Sequence, residues 1–268
     1  MFTVPTIVKM LVEDKSVDRY DHSSLKFVIY AGAPMYREDQ KIALRKLGKV
    51  LVQYYGLGEV TGNITVLPPE MHTDDDSAAN ARVGTCGLPR TGMEIAILDK
   101  TGKRLGPRES GEICVRGLAV FMGYYNNPEA NAKAFKDDWF HTGDLGHVDE
   151  QGFLYITGRA SDMYISGGSN IYPREIEEAL LKHPALSEVA VLGVPDAKWG
   201  ESGLAVVVPK PGMRATPEEL LNHLEARIAR YKWPRRFIFW ETMPKSGYGK
   251  IVKKEIRALL ESQGEYRL

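Results

Sequence analysis

The chain has 268 residues, 35 Lys and Arg against 35 Asp and Glu, 43% hydrophobic and 26% charged. This globular composition can bury a core, and the length fits two domains or one large one. The balanced charge excludes a strongly basic nucleic-acid binder and a long acidic tail, and no apolar run approaches the ~20 residues that cross a bilayer.

Residues 26–31 form a short apolar run ending at Gly32, which reads as a buried strand. Helix formers follow over 37–47, with Gly48 as the stop. Residues 49–55 read as a second strand ending at Gly56, so the segment is a βαβ unit with a parallel pair. From about Val83, Gly and Pro punctuate short runs at 93–98, 111–116 and 152–156, the pattern of a β-rich subdomain. Asp74-Asp75-Asp76 reads as an exposed loop, and 149–152 as a turn.

Beyond Gly158-Arg159 the pattern changes again. Pro173 opens a helix that runs through Ile176 and Leu180 and stops before Pro184. Strands are expected at 189–194, 204–208 and 237–240, and a last helix at 251–260. Thr216-Pro217-Glu218-Glu219 is a capping box ahead of the stripe Leu220, Leu224 and Ile228. The expected architecture is α/β, with a parallel-sheet and β-rich portion over 1–160 and a small α+β domain over 161–268. The opening residues lack the basic and apolar regions of a signal peptide. The two cysteines, Cys86 and Cys114, suggest neither a disulfide framework nor a metal site, so a cytoplasmic protein is expected.

Four stretches could carry chemistry. Tyr54-Tyr55-Gly56-Leu57-Gly58-Glu59 follows a strand, but Gly56, Gly58 and Gly62 are one residue too wide for a dinucleotide fingerprint. The glycines could simply make a turn, or they could present Glu59 to Mg²⁺, a hard cation that takes carboxylate and phosphate oxygens. In Thr142-Gly143-Asp144 the carboxylate could accept two ribose hydroxyls or cap a turn. His141 and His147 read as surface histidines rather than metal ligands. The glycines of Ser166-Gly167-Gly168-Ser169 would let a ligand approach the backbone ahead of a helix N-terminus. Lys250, after Gly249, stands where a P-loop would need Ser or Thr next; it reads either as an exposed turn lysine or as a mobile point charge for a phosphate or carboxylate.

Taken together, these motifs resemble the adenylate-forming superfamily of acyl-CoA synthetases, peptide-synthetase adenylation domains and luciferases. The resemblance runs in order from Tyr55-Gly56-Leu57-Gly58-Glu59 through Gly84-Thr85-Cys86-Gly87, 111–117, 123–128, Thr142-Gly143-Asp144 and Gly158-Arg159. It closes with 166–177 and 244–250. It implies an AMP-forming ligase that joins a carboxylic acid to AMP, releases pyrophosphate and passes the acyl group to coenzyme A. A fatty or aromatic acid is favoured over an amino acid. A carrier-protein acceptor, or a fragment that only binds nucleotide or CoA, are the alternatives.

The resemblance also implies roles. Tyr55 would stack on adenine, with Tyr54 and Gly56 also at the nucleotide; Gly32, Ala33 and Pro34 would line the adenine and acyl pockets; Asp144 and Arg159 would contact the ribose. Glu59 would hold Mg²⁺, and Lys250 would bridge the substrate carboxylate and α-phosphate. Ser166, Gly167 and Gly168 would flank CoA, and Ser161 would stand at a hinge. Two positions depart from the pattern: Gly58 replaces the usual Thr before the Glu, and Ser161 replaces the usual charged hinge residue. The phosphate loop expected well before the tyrosine motif has no counterpart upstream of Tyr55, so the chain resembles the C-terminal half of such an enzyme. A separate N-terminal half and a homodimer are the protein partners left open.

Overall fold

The computed structural model describes residues 1–33, 35–78, 82–247 and 249–267. Pro34, one of the expected pocket residues, lies outside them. The chain divides into two compact units, Met1–Ala160 and Ser161–Leu268.

The first unit opens with β1 (Phe2–Thr3), α1 (Pro5–Glu13), β2 (Val28–Tyr30), α2 (Arg37–Leu47) and β3 (Leu51–Tyr55). β1, β2 and β3 pair in parallel, and α2 is the crossover between the last two. Gly48 ends α2 at φ +77, where a side chain would strain the backbone. Val8 and Val12 of α1 and Ala43, Leu44 and Leu47 of α2 pack on Val28, Tyr30 and Leu51.

The sheet then turns antiparallel through β4 (Thr65–Leu67), β5 (Thr85–Pro89), β6 (Met93–Leu98) and β7 (Gly111–Gly117). A short helix, α3 (Pro128–Ala134), and a two-residue strand, β8 (Phe135–Lys136), lead into the long β9 (Trp139–Val148) and β10 (Leu154–Arg159). Among the described residues the order is β1-β2-β3-β4-β5-β10-β9-β7-β6, with β8 on β9. A second core, of Tyr55, Val60, Ile64, Ile95, Ile97, Ile113, Val115, Phe140 and Leu154, fills the inner face of this region. Asp76 is not a simple loop charge: its carboxylate pairs with Lys41 at 2.5 Å and with the buried Arg37 at 2.6 Å.

The second unit comprises β11 (Tyr164–Ser166), β12 (Ser169–Ile171), α4 (Pro173–Leu181), β13 (Leu186–Asp196), β14 (Gly200–Pro209), α5 (Pro217–Glu225), β15 (Arg236–Phe239) and α6 (Lys253–Ser262). β14 is central, antiparallel to β13 and parallel to β15. Alternation along β13 sends Val189 and Val191 under α4 and α5, and Ala190, Leu192 and Val194 under α6. This sheet therefore buries both faces. The capping box at Thr216 and Glu219 is formed. The two cysteines are free and buried. Among the described residues no helix is long and apolar enough to cross a membrane.

Candidate active site

Tyr55 ends β3, and the chain must turn immediately. A Cβ on Gly56 would stand 2.3 Å from the carbonyl carbon of Gly62, so only glycine lets the two backbone segments touch. The loop closes through Gly62 N–H to Leu57 O at 2.8 Å, with a single 3₁₀ turn over Gly58–Val60. That turn sets out Glu59. Its Oε1 accepts the Tyr124 hydroxyl at 2.9 Å, and its backbone carbonyl accepts Phe121 N–H at 2.7 Å. Burial and the Glu59 hydrogen bond raise the Tyr124 pKa, so the phenol stays protonated and keeps donating. A half-buried carboxylate with one oxygen shared and lone pairs left over fits a Mg²⁺ that takes its other ligands from phosphates and water.

Gly32 and Ala33 leave the carboxyl end of β2, and Tyr55-Gly56 leave that of the adjacent parallel β3, with Tyr30 opposite Gln53 in register. Carboxyl ends of neighbouring parallel strands are where open α/β sheets place ligands. Gly32 takes φ +83 there. Tyr54 carries the Arg90 guanidinium 4.6 Å from its ring centre.

Tyr55 itself is only 9% exposed, its ring in the inner core and its hydroxyl donated to Asp144 Oδ2 at 2.8 Å. The other oxygen, Oδ1, accepts Arg159 Nε at 3.1 Å. Asp144 is 5% exposed, whereas half of the Arg159 side chain is open to solvent. Burial, and after it the Asp144 charge, drive the Tyr55 pKa upward. The phenol is therefore a fixed donor, and it leaves the carboxylate with lone pairs to spare.

Asp144 reaches this position through a bulge. Cys114 on β7 faces His141 on β9, but Glu112 faces Leu145, so Thr142, Gly143 and Asp144 oppose the single residue Ile113. Gly143 takes φ +72. The Thr142 hydroxyl donates to Ile113 O at 2.7 Å and accepts Asp144 N–H at 3.1 Å. On the opposite face Glu112 Oε2 lies 2.8 Å from His141 Nδ1, Glu112 Oε1 accepts Gly143 N–H at 3.2 Å, and Cys114 Sγ lies 3.4 Å from His141 Nδ1.

His141 is thus not a surface histidine. Among the described residues Glu112, Cys114 and His141 are a group whose potential ligand atoms lie within 4.8 Å of one another. Spacing along the chain hides it, because Cys114 and His141 lie 27 positions apart and only strand pairing joins them. The alternation of Glu112 and Cys114 along one strand was the available signal.

In the second unit the glycine stretch is a β-hairpin turn rather than the entry to a helix. Ser166 pairs with Ser169, and Gly167 and Gly168 both have positive φ, +55 and +81. β12 and Tyr172 then separate the turn from α4. Both glycines are exposed; Gly167 N–H donates to Trp199 O at 2.9 Å, and a Cβ on Gly167 would meet the indole at 2.7 Å. Lys250 lies on a second hairpin, closed by the Lys245–Ile251 bridge and by Ser246 N–H to Lys250 O at 2.8 Å. Lys250 is exposed, while Lys245 pairs with Glu188 at 2.5 Å. Ser161 opens the second unit, its hydroxyl 3.4 Å from Asp162 Oδ1.

Comparison with known proteins identifies the family. The family model described as AMP-binding enzyme matches residues 1–125, and the model of the AMP-binding enzyme C-terminal domain matches 175–250. Feruloyl-CoA synthase of Amycolatopsis sp is 39% identical over 96% of this chain and 51% of its own length. The long-chain-fatty-acid–CoA ligase of Bacillus subtilis is 40% identical over 97% of this chain and 45% of its own. The structure of amide bond synthetase McbA from Marinactinospora thermotolerans superposes with a TM-score of 0.88 at 33% identity, over 96% of this chain and 52% of that one. The chain belongs to the AMP-binding enzyme family, within the adenylate-forming superfamily. It spans about half the length of the relatives it matches, and corresponds to their C-terminal half.

Proposed function

We propose that this chain carries the nucleotide half-site and the C-terminal domain of an AMP-forming acyl-CoA synthetase. The reaction joins ATP and a carboxylic acid into an acyl-adenylate with loss of pyrophosphate, then transfers the acyl group to coenzyme A with release of AMP. A fatty or aromatic acid is the substrate class, in keeping with the feruloyl and long-chain relatives.

The observation that carries the reading is Asp144, a buried carboxylate clamped by Tyr55 and Arg159 with lone pairs left for a ligand. Two adjacent hydroxyls, as on a ribose, match the two oxygens of one carboxylate. Arg159, half exposed, completes the ribose contact, Gly32 and Ala33 line the base and acyl pockets with Tyr54 and Gly56 at the nucleotide, and Tyr55, its ring buried, acts on the nucleotide through its bond to Asp144. Glu59 would hold Mg²⁺, which supplies charge neutralisation at the phosphates. Lys250 contributes the ammonium that offsets repulsion between the acid's carboxylate and the α-phosphate. Ser166, Gly167 and Gly168 flank the arm of coenzyme A, the two glycines presenting bare backbone to it, and Ser161 is the pivot of the second unit.

Calorimetric titration of AMP into this chain tests the reading, with Asp144→Ala as the control. Binding that disappears in the variant is the expected result. Equal binding by both proteins would remove Asp144 from the nucleotide site.

A further inference from the structure

The bulge that carries Asp144 hangs on a carboxylate from the neighbouring strand. We propose that Glu112 is a positioning residue for the nucleotide site, setting where Asp144 stands by bracing the bulge from the opposite face of the sheet. This role rests on the nucleotide reading of Asp144.

A bulge leaves backbone groups without ladder partners, and each must be satisfied or it costs stability. Glu112 satisfies one of them, accepting Gly143 N–H at 3.2 Å through Oε1. Its second oxygen lies 2.8 Å from His141 Nδ1, on the residue just before the bulge. One carboxylate therefore holds the strand at two points, on either side of Thr142. Thr142 completes the brace, since its hydroxyl ties Ile113 O to Asp144 N–H. The bonds to a charged acceptor are the stronger kind, and they fix the residue immediately before Asp144.

The same cluster could be taken for a metal site. Burial pushes the Cys114 thiol up to about 12, so a metal would have to displace its proton. Both Glu112 oxygens are also already engaged, Oε1 by Gly143 N–H and Oε2 by His141 Nδ1. Hydrogen bonding is what the geometry provides.

The test compares Glu112→Ala and Glu112→Gln in this chain, reading AMP affinity by calorimetry and hydrogen exchange at the Gly143 amide. Glu112→Ala should weaken AMP binding about tenfold, the worth of one charge-assisted hydrogen bond, and speed Gly143 exchange by a similar factor. Glu112→Gln keeps an acceptor oxygen for Gly143 and should recover most of both. Rescue by glutamine separates positioning from a general loss of fold. Unchanged affinity and exchange in Glu112→Ala overturns the proposal; so does faster exchange with unchanged affinity, or a glutamine variant no better than alanine. If the unaltered chain binds no AMP, the nucleotide reading of Asp144 fails on its own. The exchange comparison then decides whether Glu112 braces the bulge.

Discussion

The Tyr55 hydroxyl donates to Asp144 Oδ2 at 2.8 Å, joining residues 89 positions apart in the chain. The bond ties the end of the parallel sheet to the bulge of β9, and it spends the one donor of a buried phenol on the one buried carboxylate of the site. Tyr55→Phe removes the donor and keeps the ring. Urea unfolding should show a loss of about 1–3 kcal/mol, the cost of stranding a buried acceptor. A change below about 0.5 kcal/mol would mean that solvent replaces the phenol.

Gly56 is required by space rather than by dihedral angle. Its absent Cβ would fall 2.3 Å from Gly62 C and 2.7 Å from Asn63 N. Gly56→Ala must push the loop off β3, moving Glu59 with it, and should destabilise the first unit by about 2–3 kcal/mol. Gly58→Ala is the matched control, because nothing lies within 4 Å of its Cβ position. Similar melting of the two variants would refute the steric account.

His72 gives the first unit a pH dependence. It is 2% exposed, with Nδ1 2.9 Å from Pro68 O and Nε2 3.2 Å from the Tyr30 hydroxyl. Burial lowers its pKa from 6.5 to about 4. The unfolded chain therefore takes up the proton first. The contribution is complete above pH 6.5, falls as pH drops through the window from 6.5 to about 4, and amounts to about 3 kcal/mol. Unfolding measured against pH should lose that slope in His72→Gln; a slope that persists would assign it to other groups.

Thr216 accepts Glu219 N–H at 3.3 Å, and Glu219 returns the bond to Thr216 N–H at 2.8 Å. Thr216→Ala should cost the second unit about 1 kcal/mol, and Thr216→Ser should restore it. Denaturation in urea checks both. A serine variant as weak as alanine would show that the cap's hydroxyl contributes nothing.

Lys250 sits on a hairpin whose closing bonds are made by the backbone and Ser246. In a full-length synthetase carrying this chain, Lys250→Ala should slow pyrophosphate release by about a hundredfold to a thousandfold. Thioester formation from supplied acyl-adenylate should be spared. Equal losses in both half-reactions would remove Lys250 from its proposed role.

Local signals made much of the fold legible. Gly48 marks the end of α2, Pro173 and Thr216 mark two helix starts, and apolar runs mark β2, β3, β13 and β14. α1 is harder to read, because Ile7, Val8, Met10, Leu11 and Val12 are apolar around much of the helix while only Val8 and Val12 of these are buried. At the site, Tyr55, Glu59, Asp144 and Arg159 could be named from motifs. Their neighbours could not. Glu112, His141 and Tyr124 reach the site through strand pairing and loop closure, which no local spacing encodes. The glycines at 167 and 168 suggested a helix entry because a two-residue hairpin and a capped helix share the same small residues.

The size of the β9 bulge has a consequence for how such a strand can vary in length. Between His141 and Leu145 there are four steps along β9, against two between Cys114 and Glu112 on β7. The surplus is two, an even number, so the strand leaves the bulge in the phase in which it entered. Phe140 and Val148, on either side of it, both point to the inner core. A surplus of one would send Val148 to solvent and Leu145 into the core. Parity thus permits removal of Thr142 and Gly143 together while the sheet keeps its alternation. The deletion would, however, set Asp144 directly opposite Ile113 on the core face, without the Gly143 turn that now aims it at Tyr55 and Arg159, so the surplus pair is what lets this strand carry a carboxylate.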